Sequence, residues 1–350
     1  MGVDPGFWQG RRVLVTGHTG FKGSWLTLWL QSLGASVTGF APRMRPGPTL
    51  YELAEIGDGM REVPADIRDA EAVATLVDEA LPEVVLHLAA QPIVRRSYRE
   101  PAETFAINVM GTANVLDAVR ATGSAAAVVV VTSDKCYENR GLDRGYREDE
   151  PLGGADPYSA SKAAQELVAH AYRRSFGLPV ATARAGNVIG GGDFAEDRLV
   201  PDIMRSALAG EPVTVRNPAA IRPWQHVLEP LCGYLSLAER LAAGGLEGAP
   251  RAVNFGPRDE DARPVGWIVE RLAELWPGGI EQVPSEEEAP PPEASVLRLD
   301  SSLAGEALGW TPAWDLDRGL QAVVEWFAAY RDGGRVREAT LEQIAQHQGA

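Results

Sequence analysis

Tyr158 and Lys162 stand four residues apart in the segment Tyr-Ser-Ala-Ser-Lys, which opens a helical pattern. On a helix that spacing puts both side chains on one face. An ammonium beside a phenol lowers the phenol's pKa, which makes Tyr158 a usable proton acceptor near neutral pH. Surface Tyr–Lys pairs are common, so the pair alone does not define a site. Upstream, the apolar run AAAVVVVT ends in Ser133-Asp134-Lys135, a hydroxyl, an acid and a potential base in succession. A polar strand end would read the same way. The basic residues tilt both readings, because of 33 only three are lysines: Lys22, Lys135 and Lys162. Arginine is effectively never deprotonated, whereas a desolvated lysine titrates near neutral pH. A chain that uses arginine almost everywhere has kept an amine at three motif positions, which implies that those positions need one.

Lys22 belongs to a third motif, TGHTGFKG at 16–23, with Gly17, Gly20 and Gly23 in GxxGxxG spacing between an apolar run and a helical pattern. Gly17 permits a tight turn, Gly20 a close approach of backbone to a pyrophosphate, and Gly23 the packing of helix on strand. The acid that usually follows the second strand and binds the adenosine ribose is missing from GFAPRMRPG. Arg43 and Arg45 lie just beyond, and on the general rule they favour a ribose phosphate, hence NADP.

Such motifs need strand ends to carry them. The apolar runs at 11–17, 36–40, 61–66, 83–89, 125–133 and 179–185 read as strands buried on both faces. Helical spacing fills 20–33, 69–80, 101–121 and 158–176, with Asp or Pro at several starts and Gly34, Gly123 and Gly177 at stops. This alternation predicts an α/β fold: a doubly wound parallel sheet of Rossmann type, with right-handed crossovers and a ligand site at the carboxyl ends of the strands. From 186 the rhythm breaks into a loop, GNVIGGGDFAEDRLVP, a helix at 202–209 and a short strand in PVTVRNP. A helix at 228–243, a strand in RAVNFG, a surface loop PSEEEAPPPEAS and helical segments at 303–308 and 316–330 follow. We therefore expect a Rossmann dinucleotide-binding domain at 8–185 plus about 226–256, and a smaller C-terminal substrate lobe at 186–225 and about 257–345.

Composition excludes several classes. The net charge is −15, the wrong sign for tracking nucleic acid or an anionic membrane. An anionic ligand must then meet a local positive site. Cys136 and Cys232 make no disulfide framework, and no Cys/His cluster has zinc-ligand spacing, so no metal is expected and a reducing cytoplasm is the expected compartment. The longest purely apolar run, 125–131, is far short of a membrane span, and the N-terminus lacks the pattern of a signal peptide.

TGHTGFKG, HLAAQ, the NVMGT segment with Asn108, and YSASK fall in the order and spacing of the extended short-chain dehydrogenase/reductase family, which this chain resembles. FWQGRRVLVTGHTGFKGSWL, TSDKCYENR, RAGNVIGGGDFAEDRL and IRPWQHVLEPL narrow the likeness to that family's CDP-glucose 4,6-dehydratase branch, from about residue 7 to about 326. By this resemblance Gly17, Gly20, Phe21, Lys22 and Gly23 cradle the pyrophosphate of NAD. Asp66 and Ile67 meet the adenine, Leu88, Ala89 and Ala90 border the ribose, and Asn108 joins the cofactor set with Tyr158 and Lys162. Those enzymes use NAD without the second-strand acid, which favours NAD over NADP. The resemblance implies a redox-neutral dehydration of a CDP-sugar in which Ser133, Asp134, Lys135, Tyr158 and Lys162 do the chemistry. Asn187, Arg198, Arg216 and Arg222 are the candidates to hold the substrate's pyrophosphate, and a homodimer formed through helices 101–121 and 158–176 is expected. Two segments depart from the branch: GLDRGYRE at 141–148 where EWVWGYRE is usual, and Pro292-Glu293-Ala294 where His-Glu-Ala is usual. The glycine loop and the Tyr/Lys pair are shared with nucleotide-sugar epimerases and decarboxylases, and a silent dinucleotide-binding protein would keep the loop too. Asp134 and Lys135 argue against a simple 4-epimerase, which has no leaving group to protonate.

Overall fold

The computed structural model describes residues 2–43, 47–215, 217–284 and 297–350; Arg45, Arg216 and Pro292-Glu293-Ala294 lie outside the described residues. The apolar runs become β1 (Arg12–Thr16), β2 (Ser36–Ala41), β3 (Arg61–Pro64), β4 (Val84–His87), β5 (Ala127–Val131) and β6 (Val180–Ala185). Shorter strands follow: β7 (Asn187–Ile189), β8 (Val213–Val215), β9 (Ile221–His226), β10 (Ala252–Phe255), β11 (Ala262–Pro264) and β12 (Gln282–Pro284). The main sheet has seven strands in the order β10-β6-β5-β4-β1-β2-β3, and every pair in it is parallel. This is the doubly wound Rossmann arrangement. Its order reverses between β1 and β4, where such a sheet opens a crevice at its carboxyl edge.

The helices obey their local signals. Asp69 caps Ala70–Ala80 by accepting from the amides of Glu71 and Ala72, and Asp156 caps Pro157–Phe176 with Pro157 in the first turn. Gly123 and Gly177 end their helices in the left-handed region at φ 63° and 65°. The expected single helix over 101–121 is instead interrupted: Pro101–Phe105 passes through a π-helical turn at Ala106–Met110 into Gly111–Thr122. The widened turn holds Asn108, whose fully buried amide bonds to two other elements. The helices Val94–Arg99, Val265–Leu275 and Val336–Gln348 had no counterpart in the periodicity reading.

One side of the sheet packs Trp25, Leu26 and Trp29 of helix Phe21–Ser32 into a core shared with Trp224, Leu316 and Trp326 of the second lobe. The other side buries Leu14, Phe40, Val85, Val115 and Val128. Each fully buried Leu or Phe contributes about 1.5–3 kcal/mol, so the sheet edge that carries the motifs is held rigidly from both faces. The second lobe contains a three-stranded sheet, β11-β9-β7, and a two-stranded one, β12-β8. β7 pairs with β9 so that Asn187 lies opposite Trp224 and Ile189 opposite His226. Among the described residues no helix is long and apolar enough to cross a membrane, and no group of His, Cys, Asp and Glu could hold a metal.

Candidate active site

The glycine loop leaves β1 through Gly17, at φ +75°, where a Cβ would lie 2.8 Å from the Ala89 amide nitrogen. A Cβ on Gly23 would sit 2.1 Å from the Gly17 carbonyl oxygen. Neither position admits a side chain, so the loop turns tightly onto the first turn of helix Phe21–Ser32, with Gly20 as its N-cap. Gly23 therefore packs the helix against its own loop rather than against the strand. Thr16 ties the loop to the next strand: its hydroxyl accepts from the Ala89 amide at 3.2 Å and meets His87 Nδ1 at 2.6 Å. Burial and the nearby Lys162 push His87 down to about 3, so it is a neutral strut whose other nitrogen reaches Thr112. Bare backbone amides at a helix N-terminus, with no side chain in the way, fit a dinucleotide pyrophosphate.

The other expected cofactor residues are placed as follows. Leu88, Ala89 and Ala90 lead out of β4 beside the loop, and Phe21 packs against Gly190. Ile67 is buried against Gly111, while the Asp66 carboxylate is engaged by Arg68 at 2.6 Å, which holds its pKa low. Asn108 accepts from the Gln91 amide at 2.8 Å and donates to Ser161 Oγ at 2.8 Å. It thereby locks the segment after β4 onto the helix that carries Tyr158 and Lys162.

Ser133, Asp134 and Lys135 follow β5, with Asp134–Cys136 forming a 3-10 turn. Ser133 Oγ donates to Asp134 Oδ1 at 2.9 Å, accepts from the Lys135 amide, and meets the Tyr158 hydroxyl. Asp134 Oδ2 is buried without a partner. A Cβ on Gly186 would approach that oxygen to 3.1 Å, so the glycine keeps it uncovered. Burial raises the Asp134 pKa, against the charges of Lys135, Arg222 and Lys22 and the Ser133 hydrogen bond, which lower it. Burial pushes Tyr158 up to about 12, the Ser133 hydrogen bond opposes this, and the Asp134 charge adds to it. The lowered phenol pKa expected from the Tyr158–Lys162 spacing is therefore overturned: burial outweighs the ammonium, which gives its hydrogen bond to the Val131 carbonyl. Lys162 donates to the Val131 carbonyl at 3.2 Å, and its pKa falls to about 7 through burial and the charge of Lys22. A near-neutral amine and a carboxyl that resists ionisation therefore lie with Tyr158 at one strand end.

The helix bearing Tyr158 and Lys162 is pinned from behind by Glu166. Its carboxylate accepts from Thr132 and Thr182 and pairs with Arg184 at 2.7 Å, all of them buried. From the second lobe, Arg222 on β9 is buried and near enough to act on Asp134. Arg198 pairs with the buried Asp193 at 3.1 Å, and Asn187 lies on β7. Asp193, Tyr234, Glu166 and Gly186 escaped the sequence reading. The run GNVIGGGD that contains or borders two of them was the only local signal.

The fold and this site define a nucleotide-cofactor enzyme with a tyrosine–lysine pair. The NAD dependent epimerase/dehydratase family matches residues 13–256, and the chain belongs to that family. It is 48% identical to CDP-glucose 4,6-dehydratase of Salmonella typhimurium, over 99% of each chain. It is 30% identical to dTDP-glucose 4,6-dehydratase of Xanthomonas campestris, over 90% of this chain and 92% of that one. Among solved structures it resembles MoeE5 in complex with UDP-glucuronic acid and NAD, with TM-score 0.77 and 27% identity over 91% of this chain and 99% of that one. The NAD complex of dTDP-glucose 4,6-dehydratase from Bacillus anthracis shares the fold at TM-score 0.74 and 24% identity, over 93% and 99%. The expected doubly wound fold, the NAD-using family and the enzyme class all hold, and the reading of Arg43 and Arg45 as NADP selectors does not.

Proposed function

We propose that this enzyme is a hydro-lyase that converts CDP-glucose to CDP-4-dehydro-6-deoxyglucose and water. The observation that carries the reading is the Asp134 carboxyl: buried, raised in pKa, with Oδ2 unpartnered, and next to Lys135. Oxidation at C4 alone needs no such acid, whereas expulsion of a hydroxyl does. When bound, NAD supplies the hydride acceptor for C4 and the hydride donor for C6. Tyr158 takes the proton of the 4-hydroxyl, with Lys162 beside it to stabilise the phenolate. Lys135 removes the C5 proton made acidic by the 4-ketone. Electrons move into a C5–C6 double bond as the C6–O bond breaks, and Asp134 protonates the departing oxygen, so water leaves. Lys135 then returns its proton to C5. Ser133 holds the sugar oxygens near C4, and Arg198, Arg216 and Arg222 with Asn187 bind the pyrophosphate. The cytidine assignment rests on the 48% identity to the Salmonella enzyme.

We take 8–185 with about 226–256 as the cofactor unit and 186–225 with about 257–345 as the substrate unit, and the assembly as a cytoplasmic homodimer, consistent with two free cysteines. The test is to incubate the enzyme separately with CDP-glucose, dTDP-glucose and UDP-glucose and weigh the products. Loss of one water from CDP-glucose is expected. A product of unchanged mass would overturn dehydration, and equal turnover of dTDP-glucose would overturn the choice of nucleotide.

A further inference from the structure

Lys22 sits in the glycine loop, where the resemblance makes it part of the pyrophosphate cradle, yet its side chain reaches elsewhere. Its Nζ lies 3.4 Å from the hydroxyl of the fully buried Tyr234, on helix Leu228–Gly248, and 5.8 Å from the centre of that ring. Tyr234 is itself close enough to Tyr158 and Asp134 for their charges to act on it. Four further charged groups face the ammonium. Arg198 repels it most strongly, Asp134 attracts it from the turn after β5, Asp193, the ion-pair partner of Arg198, attracts it less, and Lys162 repels it from the helix Pro157–Phe176. A phenol hydrogen bond at 3.4 Å holds the amine at the catalytic end of the crevice.

We propose that Lys22 is a positioning residue of the chemical step, braced on the Tyr234 hydroxyl so that its positive charge acts on both the Asp134 carboxyl and the Lys162 amine and tunes proton exchange by both. The proposal deepens the dehydration reading and rests on it. Three features support it. Lys22 is one of only three lysines in the chain, and the other two are in the catalytic set. The Lys162 pKa is lowered by burial first and by Lys22 second, with Cys136 and Glu166 opposing. Lys22 is also among the cations that hold Asp134 down against burial. Its own pKa, lowered to about 8 by burial and by Arg198, leaves it charged at neutral pH, where its field is needed.

The sign follows directly. With the charge at position 22 removed, the Lys162 amine holds its proton more tightly, so its titration moves to higher pH. A unit charge at the separations found inside a protein shifts a neighbour by about one pKa unit. In protein labelled with 15N-lysine and free of cofactor, each lysine gives its own side-chain resonance, so Lys162 can be titrated without turnover. We expect Lys22→Met to raise that midpoint by about one unit and to move the alkaline limb of kcat for CDP-glucose to higher pH by the same amount, because Lys162 serves as the ammonium, with KM little changed. Lys22→Arg should restore both, because it keeps the charge. Tyr234→Phe, which removes the brace and keeps the ring, should give a smaller shift in the same direction. If Lys22→Met leaves the Lys162 titration in place and instead weakens NAD binding tenfold or more, Lys22 is a phosphate ligand and the proposal fails. The wild-type product mass judges dehydration separately, so a failure of that reading is not confused with a failure of this one.

Discussion

On the proposed reading, oxidation at C4 uses Tyr158 and Lys162, whereas elimination needs a base at C5 and an acid at C6, and Lys135 adjoins Asp134 where that second pair is required. Replacing Lys135 by alanine should therefore leave the first half of the reaction running. A 4-keto sugar, trapped with hydroxylamine, should still form, while loss of water and solvent deuterium exchange at C5 fall by a factor of roughly 10² to 10⁴. Lys135→Arg keeps the charge and loses the titration, so it should behave like the alanine form. Near-normal dehydration by the arginine variant would make Lys135 only a cation that holds the site together. Glu138 is not poised to replace it, because it is half-exposed and engaged by Arg140. Tyr158, Lys162 and the Ser133–Lys135 run were legible because their chemistry is written in short spacings. Tyr234, Asp193 and Gly186 were not, since each reaches the site across the fold and no local pattern encodes such a contact.

Elements position these residues, and the helix Pro157–Phe176 carries the heaviest constraint. Glu166, one turn beyond Lys162, gives its carboxylate to Thr132, Thr182 and Arg184. Arg184 also donates to the Tyr137 hydroxyl and to the Glu148 carbonyl, so one buried ion pair ties the catalytic helix, the end of β5, β6 and the segment after Lys135. Glu166→Ala strands a buried guanidinium and should cost about 3–5 kcal/mol. Urea unfolding should show a lower midpoint with an unchanged slope. Glu166→Gln, which keeps hydrogen-bonding capacity, should lose less, and equal losses in the two variants would mean that packing rather than the pair holds the helix. The strands were readable because burial on both faces makes them continuously apolar. The break at Ala106–Met110 was not, because a π turn adds no residue type of its own and is specified by where the Asn108 amide must point. The last helix, Val336–Gln348, was missed for a related reason: it buries Thr340, Gln343 and His347, and the last of these bonds Glu229 at 2.9 Å. These polar residues alternate with Val336 and Ile344 on the buried face, which leaves no continuous apolar stripe to read.

At the scale of the whole molecule, two facts pull in opposite directions. Each chain carries a net charge of −15, so two copies repel at long range. Yet Tyr98, Phe105, Met110, Leu167 and Phe176, each between 38% and 60% exposed, account for five of the six exposed large apolar side chains among the described residues. Tyr98, Phe105 and Met110 lie on the run from Val94–Arg99 through the π turn, and Leu167 and Phe176 lie on the helix Pro157–Phe176, against which that run packs. An apolar face of this kind on an acidic chain fits a second copy of itself, joined in a four-helix interface. Screening should weaken the repulsion and leave apolar burial intact, so the dimer should tighten as salt rises from low to physiological ionic strength. Light scattering at micromolar concentration should give twice the chain mass, and Met110→Arg with Leu167→Arg should give the monomer, with dimer affinity lowered at least about 100-fold. The Tyr158 amide donates to Ser97 Oγ on the helix next to Tyr98, so an interface on this face would back directly onto the tyrosine proposed to be catalytic. The monomeric variant should consequently lose turnover while keeping its far-ultraviolet helix signal. A monomer with full activity would separate the assembly from the chemistry.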